Sequence, residues 1–184
     1  MTRTRAITLN ALSLYAVALV LTAAFAAQLA LHELPCPLCL LQRILFATLA
    51  IGPILNIRFG PRPSHYATSL LAATAGAVVS SRQVLLHIMP GDAGYGSALM
   101  GYHYYTWALI GFIAAIVLLA SILLFDRQFD DTAPQPISGG AFAQAAVWLV
   151  IGLTALNVAS TLLECGFGAC ADNPIVYELL KRAA

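Results

Sequence analysis

Five stretches of the chain, at about residues 7–31, 38–57, 66–88, 105–125 and 141–163, are apolar enough to cross a bilayer. A helix needs about 20 apolar residues to traverse a hydrocarbon core of roughly 30 Å. The first, fourth and fifth stretches carry no charge. The second holds Gln42 and Arg43 near its start, and the third holds Arg82, Gln83 and His87 towards its end. Only 9% of the 184 residues are charged, against about 25% in a soluble domain. So few charges cannot cover a water-facing surface. The sequence therefore predicts an all-α integral membrane protein, a bundle of five transmembrane helices forming a single domain over residues 1–184, with residues 164–184 as a tail. The first stretch exceeds the 7–15 apolar residues typical of a signal core. Although residues 24–27 resemble a cleavage site, cleavage would leave Cys36 almost at a terminus, so retention as a helix is expected.

Basic residues in short loops set the orientation. With the N-terminus inside, the inner segments hold Arg3, Arg5, Arg58, Arg62 and Arg127, whereas the outer loops at about 31–37 and 89–104 hold neither Lys nor Arg. Only Lys181 and Arg182, far along the tail, count against N-in and C-out. The inner segment 126–140, with its Asp, Pro and Gly residues, reads as a flexible connector. A net charge of +1 with no basic run gives no support to a nucleic-acid partner.

This orientation puts all four cysteines on the outer side, Cys36 and Cys39 after the first helix, Cys165 and Cys170 after the fifth. Cys36-Pro37-Leu38-Cys39 is a C-x-x-C at the start of a membrane helix. Its spacing allows the sulfurs to bond when the second cysteine opens the helix. A thiolate there faces the positive end of the helix dipole, which stabilises it. Arg43 follows Cys39 by four residues, on the same face one turn deeper. A cation at that depth either snorkels to lipid phosphate or has a partner, such as an acceptor carbonyl or the Cys39 sulfur. Arg82 and His87 lie at a comparable depth on the third span.

Cys165 and Cys170 flank two glycines, which permits the tight turn a short disulfide loop requires. Such an exposed loop suits exchange with a protein partner, although a purely structural disulfide fits the spacing too. Asp172, Asn173 and Pro174 read as the cap of a short amphipathic helix through Leu180. Tyr102, Tyr104, Tyr105 and Trp107 read as an aromatic belt at the headgroup level, or as rings that stack on a bound one. Four thiolates could in principle bind a metal, but no matching His accompanies them and the compartment is oxidising. Leu40 after Cys39 excludes haem attachment.

These residues resemble the disulfide bond formation protein B (DsbB) family. The likeness rests on Cys36-Pro37-Leu38-Cys39-Leu40-Leu41-Gln42-Arg43, on the helix segment 81–87, which holds Arg82, Gln83 and His87, and on the loop 90–97. It implies a quinone-dependent protein-thiol oxidoreductase of the bacterial inner membrane. Such a protein reoxidises a periplasmic thioredoxin-fold thiol oxidase (DsbA-like). Electrons pass from a second outer cysteine pair to the C-x-x-C and then to ubiquinone or menaquinone. The resemblance makes Cys39 the quinone-proximal thiolate and Cys36 the sulfur that exchanges with the second pair. Gln42, Arg43, Arg82 and His87 are the candidate quinone-binding residues. The soluble oxidase poises near −120 mV, so a higher-potential acceptor can draw the chain forward, and no flavin or dinucleotide motif supplies another.

One departure is large. Familiar members have four spans and carry the second pair between helices three and four. Here that loop has no cysteine, and Cys165 and Cys170 follow a fifth span. A vitamin-K-epoxide-reductase-like enzyme is a related alternative, but its C-x-x-C opens a late helix. A transporter or assembly subunit with structural disulfides is the alternative of another class.

Overall fold

A computed structural model describes residues 2–129 and 140–181. It contains five helical passes long and apolar enough to span a membrane, so the chain is a multi-pass membrane protein. Helix α1 (Arg3–Ala30) is the first pass. Helices α2 (Pro37–Leu49) and α3 (Ile51–Phe59) together make the second, followed by α4 (Pro63–Leu86), α5 (Tyr104–Leu123) and α6 (Gly140–Cys165). A four-residue helix, α7 (Glu178–Lys181), lies in the tail.

Pro53 explains why the second pass is broken. Its missing N–H leaves the Leu49 carbonyl without a helical donor. The Ser69 hydroxyl on α4 donates to that carbonyl instead, at 2.7 Å. Gly52 sits where any Cβ would collide with the His65 backbone and the Ser69 side chain, so the break lets α3 press closely on α4.

Helix α4 packs along α5, α2 and α3, while α1 packs along α6 and α3. The core between them is apolar, with Leu14, Leu21, Phe46, Phe112 and Val150 buried. Phe46 and Phe112 stack with centroids 4.0 Å apart. The Phe112 ring lies against Gly76, where a side chain of any size would overlap it. Outward faces are apolar too: Leu19, Leu71 and Trp148 are exposed, as expected where lipid replaces water.

At the end of the bundle away from the cysteines, buried polar groups satisfy one another. Asn10 donates to the Tyr66 hydroxyl at 2.9 Å, and Asn56 donates to Asn10 at 3.0 Å. Tyr66 in turn donates to Gln128 at 2.9 Å. Gln128 belongs to a 3-10 turn, Asp126–Phe129, and ties it to this network. The expected connector at 126–140 otherwise lies outside the described residues.

The loop before α5 contains a short hairpin, in which Ala98–Leu99 (β1) pairs antiparallel with Tyr102–His103 (β2). Met100 and Gly101 turn the hairpin with φ of 53° and 84°, the left-handed pair that a tight hairpin turn demands. The tail helix does not begin at the Asp172–Pro174 segment but only at Glu178. Tyr177, the residue before the helix, has its hydroxyl held by a long-range hydrogen bond from the Gln28 amide.

Candidate functional site

The C-x-x-C loop is built by helix capping. Cys36 is the N-cap of α2 and Pro37 occupies its first turn, a position where the absent N–H costs nothing. The helix thus opens one residue after the first cysteine, and the Cys36 sulfur accepts the Cys39 N–H at 3.2 Å. Cys36 and Cys39 form a disulfide with Cα atoms 5.0 Å apart. Cys36 is buried, 6% exposed.

A glutamine pair closes over the sulfurs. The Gln83 amide nitrogen lies 3.3 Å from the Cys36 sulfur and 3.5 Å from that of Cys39. Its carbonyl accepts from Gln42 at 2.9 Å. Gln83 is 1% exposed. Sequence reasoning did not single out this contact: its candidates in this part of the chain were Arg82 and His87. Neighbouring helical positions point about 100° apart, and the structure turns Gln83 inward while Arg82 is exposed.

Arg43 lies one turn below Cys39, and both border the same hollow. Its guanidinium donates to the Gln28 side-chain carbonyl at 2.6 Å and to the Ala24 backbone carbonyl at 3.0 Å. The Gln28 amide then donates to Ser160 on α6 at 2.9 Å and to the Tyr177 hydroxyl at 3.0 Å. A single side chain from α1 therefore joins the arginine, the fifth pass and the tail. It also brings the α6 end, where Cys165 lies, to the same end of the bundle as Cys36 and Cys39. Cys165 and Cys170 are disulfide-bonded, with Cα atoms 4.6 Å apart. The turn between them uses Gly166 at φ +64°.

The hollow measures about 450 Å³ and lies between α1, α2 and α5. Cys39, Gln42 and Arg43 form one wall, and Tyr104, Tyr105 and Trp107 another. A second hollow of about 460 Å³ shares Val20, Phe46 and Gly111 with it and continues towards the far end. Such volumes are typical of small-molecule sites, and so is a mostly apolar lining with a few polar groups.

His87 is one ring removed from this wall. It stacks on Tyr105 with centroids 5.5 Å apart and pairs with Asp92 at 3.0 Å. The Gly94 N–H, and then the bond from His87, hold the Asp92 carboxyl below its usual range. Tyr102 is exposed and meets Trp107 edge-on. The loop above the site is fastened twice. Tyr95 donates to the Leu34 carbonyl at 2.7 Å, and the Glu33 carboxylate accepts the Ser97 N–H at 3.0 Å. Burial, followed by the negative charges of Glu164 and Glu33, raises the Tyr95 phenol above its ordinary range.

Sequence comparison with known proteins points to one family. Disulfide bond formation protein B of Xanthomonas campestris pv. campestris (strain 8004) is 40% identical over 70 residues, covering 35% of this chain and 41% of that one. Disulfide bond formation protein B 2 of Burkholderia lata is 40% identical over 65 residues, covering 35% and 39%. The similarity thus spans about two fifths of the length of these relatives. No solved structure matches. The family model described as "Disulfide bond formation protein DsbB" matches residues 5–97. That span, just over half of the chain, contains α1 to α4 with Cys36, Cys39, Gln42, Arg43 and Gln83, and the chain belongs to the DsbB family.

Proposed function

We propose that this protein is a quinone-linked protein-thiol oxidase of the bacterial inner membrane, oriented N-in and C-out with both cysteine pairs on the periplasmic side. It reoxidises a periplasmic thioredoxin-fold thiol oxidase. The observation that carries the reading is a disulfide at a helix N-terminus, Cys36–Cys39, with Cys39 on the wall of an apolar hollow that also holds Arg43. A metal role for the four cysteines would need thiols that the two disulfides consume.

The thiol steps follow from the chain's own residues. A partner thiolate attacks the Cys165–Cys170 disulfide, and the mixed disulfide resolves to give oxidised partner and a Cys165/Cys170 dithiol. That dithiol reduces Cys36–Cys39 by the same exchange. In the reduced pair, the negative charge resides on Cys39, stabilised by the α2 dipole and by the Gln83 amide. Arg43 and the aromatic wall suit a planar ring bearing carbonyl oxygens. A quinone bound there supplies a two-electron, two-proton acceptor, ubiquinone and menaquinone being the candidates. The Cys36–Cys39 bond re-forms as the electrons leave.

The test is reduction of a soluble quinone analogue by purified protein mixed with a reduced thioredoxin-fold oxidase. Wild type is compared with Cys39→Ser and Cys165→Ser. Turnover lost in both variants supports the two-pair relay. Full activity in Cys165→Ser would make the tail disulfide structural and oblige the partner to reach Cys36 directly. No turnover in wild type, with either quinone type, would overturn the reading.

A further inference from the structure

The fifth pass carries a group that the thiol steps do not use. Glu164 is 2% exposed, and among the described residues neither carboxylate oxygen has a hydrogen-bond partner. A buried carboxylate without a donor ionises only where a nearby cation compensates, so such groups persist for a reason other than packing. Ser160, one turn earlier on α6, donates no such support to it but receives the Gln28 amide. The same face of α6 therefore looks towards the Arg43 end of α2, and Glu164 and Arg43 interact electrostatically without forming an ion pair. Among the described residues, Arg43 itself is hydrogen-bonded only to neutral acceptors, Gln28 and Ala24. Among the described residues, the other titratable groups of this region are Tyr95 from the loop after α4, Tyr177 from the tail and, once its disulfide is reduced, Cys165 beside Glu164 on α6. Glu33 acts on Tyr95 from beyond it.

We propose that Glu164 is a proton-coupling residue, binding a proton when Cys36–Cys39 is reduced and releasing it when the disulfide re-forms. The inference rests on the thiol–quinone reading above. Arg43 borders the hollow together with Cys39, and through Gln28 it is linked to Ser160, one turn from Glu164 on α6. Two anions at a buried site disfavour one another, so a thiolate at Cys39 favours a protonated Glu164. The balance closes. Reduction brings two electrons from the Cys165/Cys170 dithiol, leaves one proton on the Cys36 sulfur and a negative charge on Cys39, and places the second proton on Glu164. Oxidation sends the two electrons to the acceptor and releases both protons, the number a quinone needs to become its hydroquinone.

Redox-difference infrared spectroscopy of the full-length protein in nanodiscs tests this, with a small dithiol as reductant and no quinone added. Reduction of wild type is expected to raise a protonated-carboxyl band that moves on isotopic labelling of glutamate. The band should be absent in Glu164→Gln and retained in Glu33→Gln. In parallel, alkylation of Cys39 against pH, read peptide by peptide by mass spectrometry, should keep its midpoint within about half a pH unit of wild type in Glu164→Gln, because Glu164 already carries its proton when Cys39 is a thiolate; a larger downward shift would mean an ionised Glu164 beside the thiolate and overturn the proposal. A wild-type spectrum with no redox-linked glutamate band would overturn the proposal, and that measurement holds even if the variant fails to fold. Since neither readout needs quinone or partner, turnover without the band sinks this inference alone. The band without turnover sinks the oxidase reading and leaves the redox-linked proton in place.

Discussion

The Gln42 side-chain amide donates to the Gln83 carbonyl at 2.9 Å, and this bond settles which way Gln83 faces. With its oxygen taken, Gln83 has only N–H groups to present to the two sulfurs. A hydrogen bond to a charged group contributes about 1.5–3 kcal/mol. Replacing Gln83 with Leu should therefore raise the Cys39 thiol by about one pH unit or more and slow reoxidation of the dithiol about tenfold. Gln42→Leu should have a smaller effect in the same direction, since it frees the amide to rotate. Cys39 alkylation against pH, with stopped-flow reoxidation, measures both. A Gln83→Leu midpoint equal to wild type would remove the amide from the chemistry.

Arg43 reaches two carbonyls at once, that of the Gln28 side chain and that of the Ala24 backbone. Lysine has a single ammonium and cannot reproduce that fork. Arg43→Lys should keep the protein folded but raise the KM for a quinone analogue about tenfold, with a smaller effect on partner oxidation. Arg43→Met should lose most turnover. Steady-state kinetics with quinone and partner varied separately distinguish these effects. Equal loss in both KM values would point to general misfolding instead.

The Tyr95 hydroxyl fastens the loop above the site to Leu34. Its raised pKa fixes the sign of the pH effect: the stabilising contribution is complete below the unfolded tyrosine value of about 10. It is lost as pH rises through the higher folded value. Protection of the amides in segment 33–39, after correction for the intrinsic rise of exchange with pH, should therefore fall at alkaline pH in wild type. Tyr95→Phe should show that lower protection already near neutrality, at a cost of about 1 kcal/mol. Hydrogen–deuterium exchange followed by mass spectrometry checks this. Identical protection in the variant would mean that Glu33 and Ser97 alone hold the loop.

The spans were legible because lipid imposes a demand that composition cannot disguise: about 20 apolar residues per crossing, with each carbonyl satisfied within its helix. The proximity of Cys39 and Arg43 was legible too, since a separation of four residues is a neighbour relation on any helix. The choice between Arg82 and Gln83 was not. Both are polar and adjacent, and only the rotational setting of α4 against α2 decides which one meets the sulfurs. Nor was the break at Ala50, although Pro53 signalled a lost hydrogen bond, because the donor that compensates, Ser69, comes from another helix. Glu164 could be read as an acid at the end of an apolar span. Its relation to Arg43 depends on α6 packing beside α1 and α2, which pairwise spacing does not encode.

Gln28 holds the chain on both sides of the second disulfide, through Ser160 before it and Tyr177 after it. The segment bearing Cys165 and Cys170 is consequently a handle pinned at both ends, whose excursions are bounded by the residues between two anchors. A short tether of this kind keeps its reactive group at a local concentration in the millimolar range. In the proposed relay, exchange between the two cysteine pairs is then first-order, indifferent to how dilute the protein is in the membrane. Free thiols in the surrounding water would have to reach comparable concentrations before they could compete for Cys36.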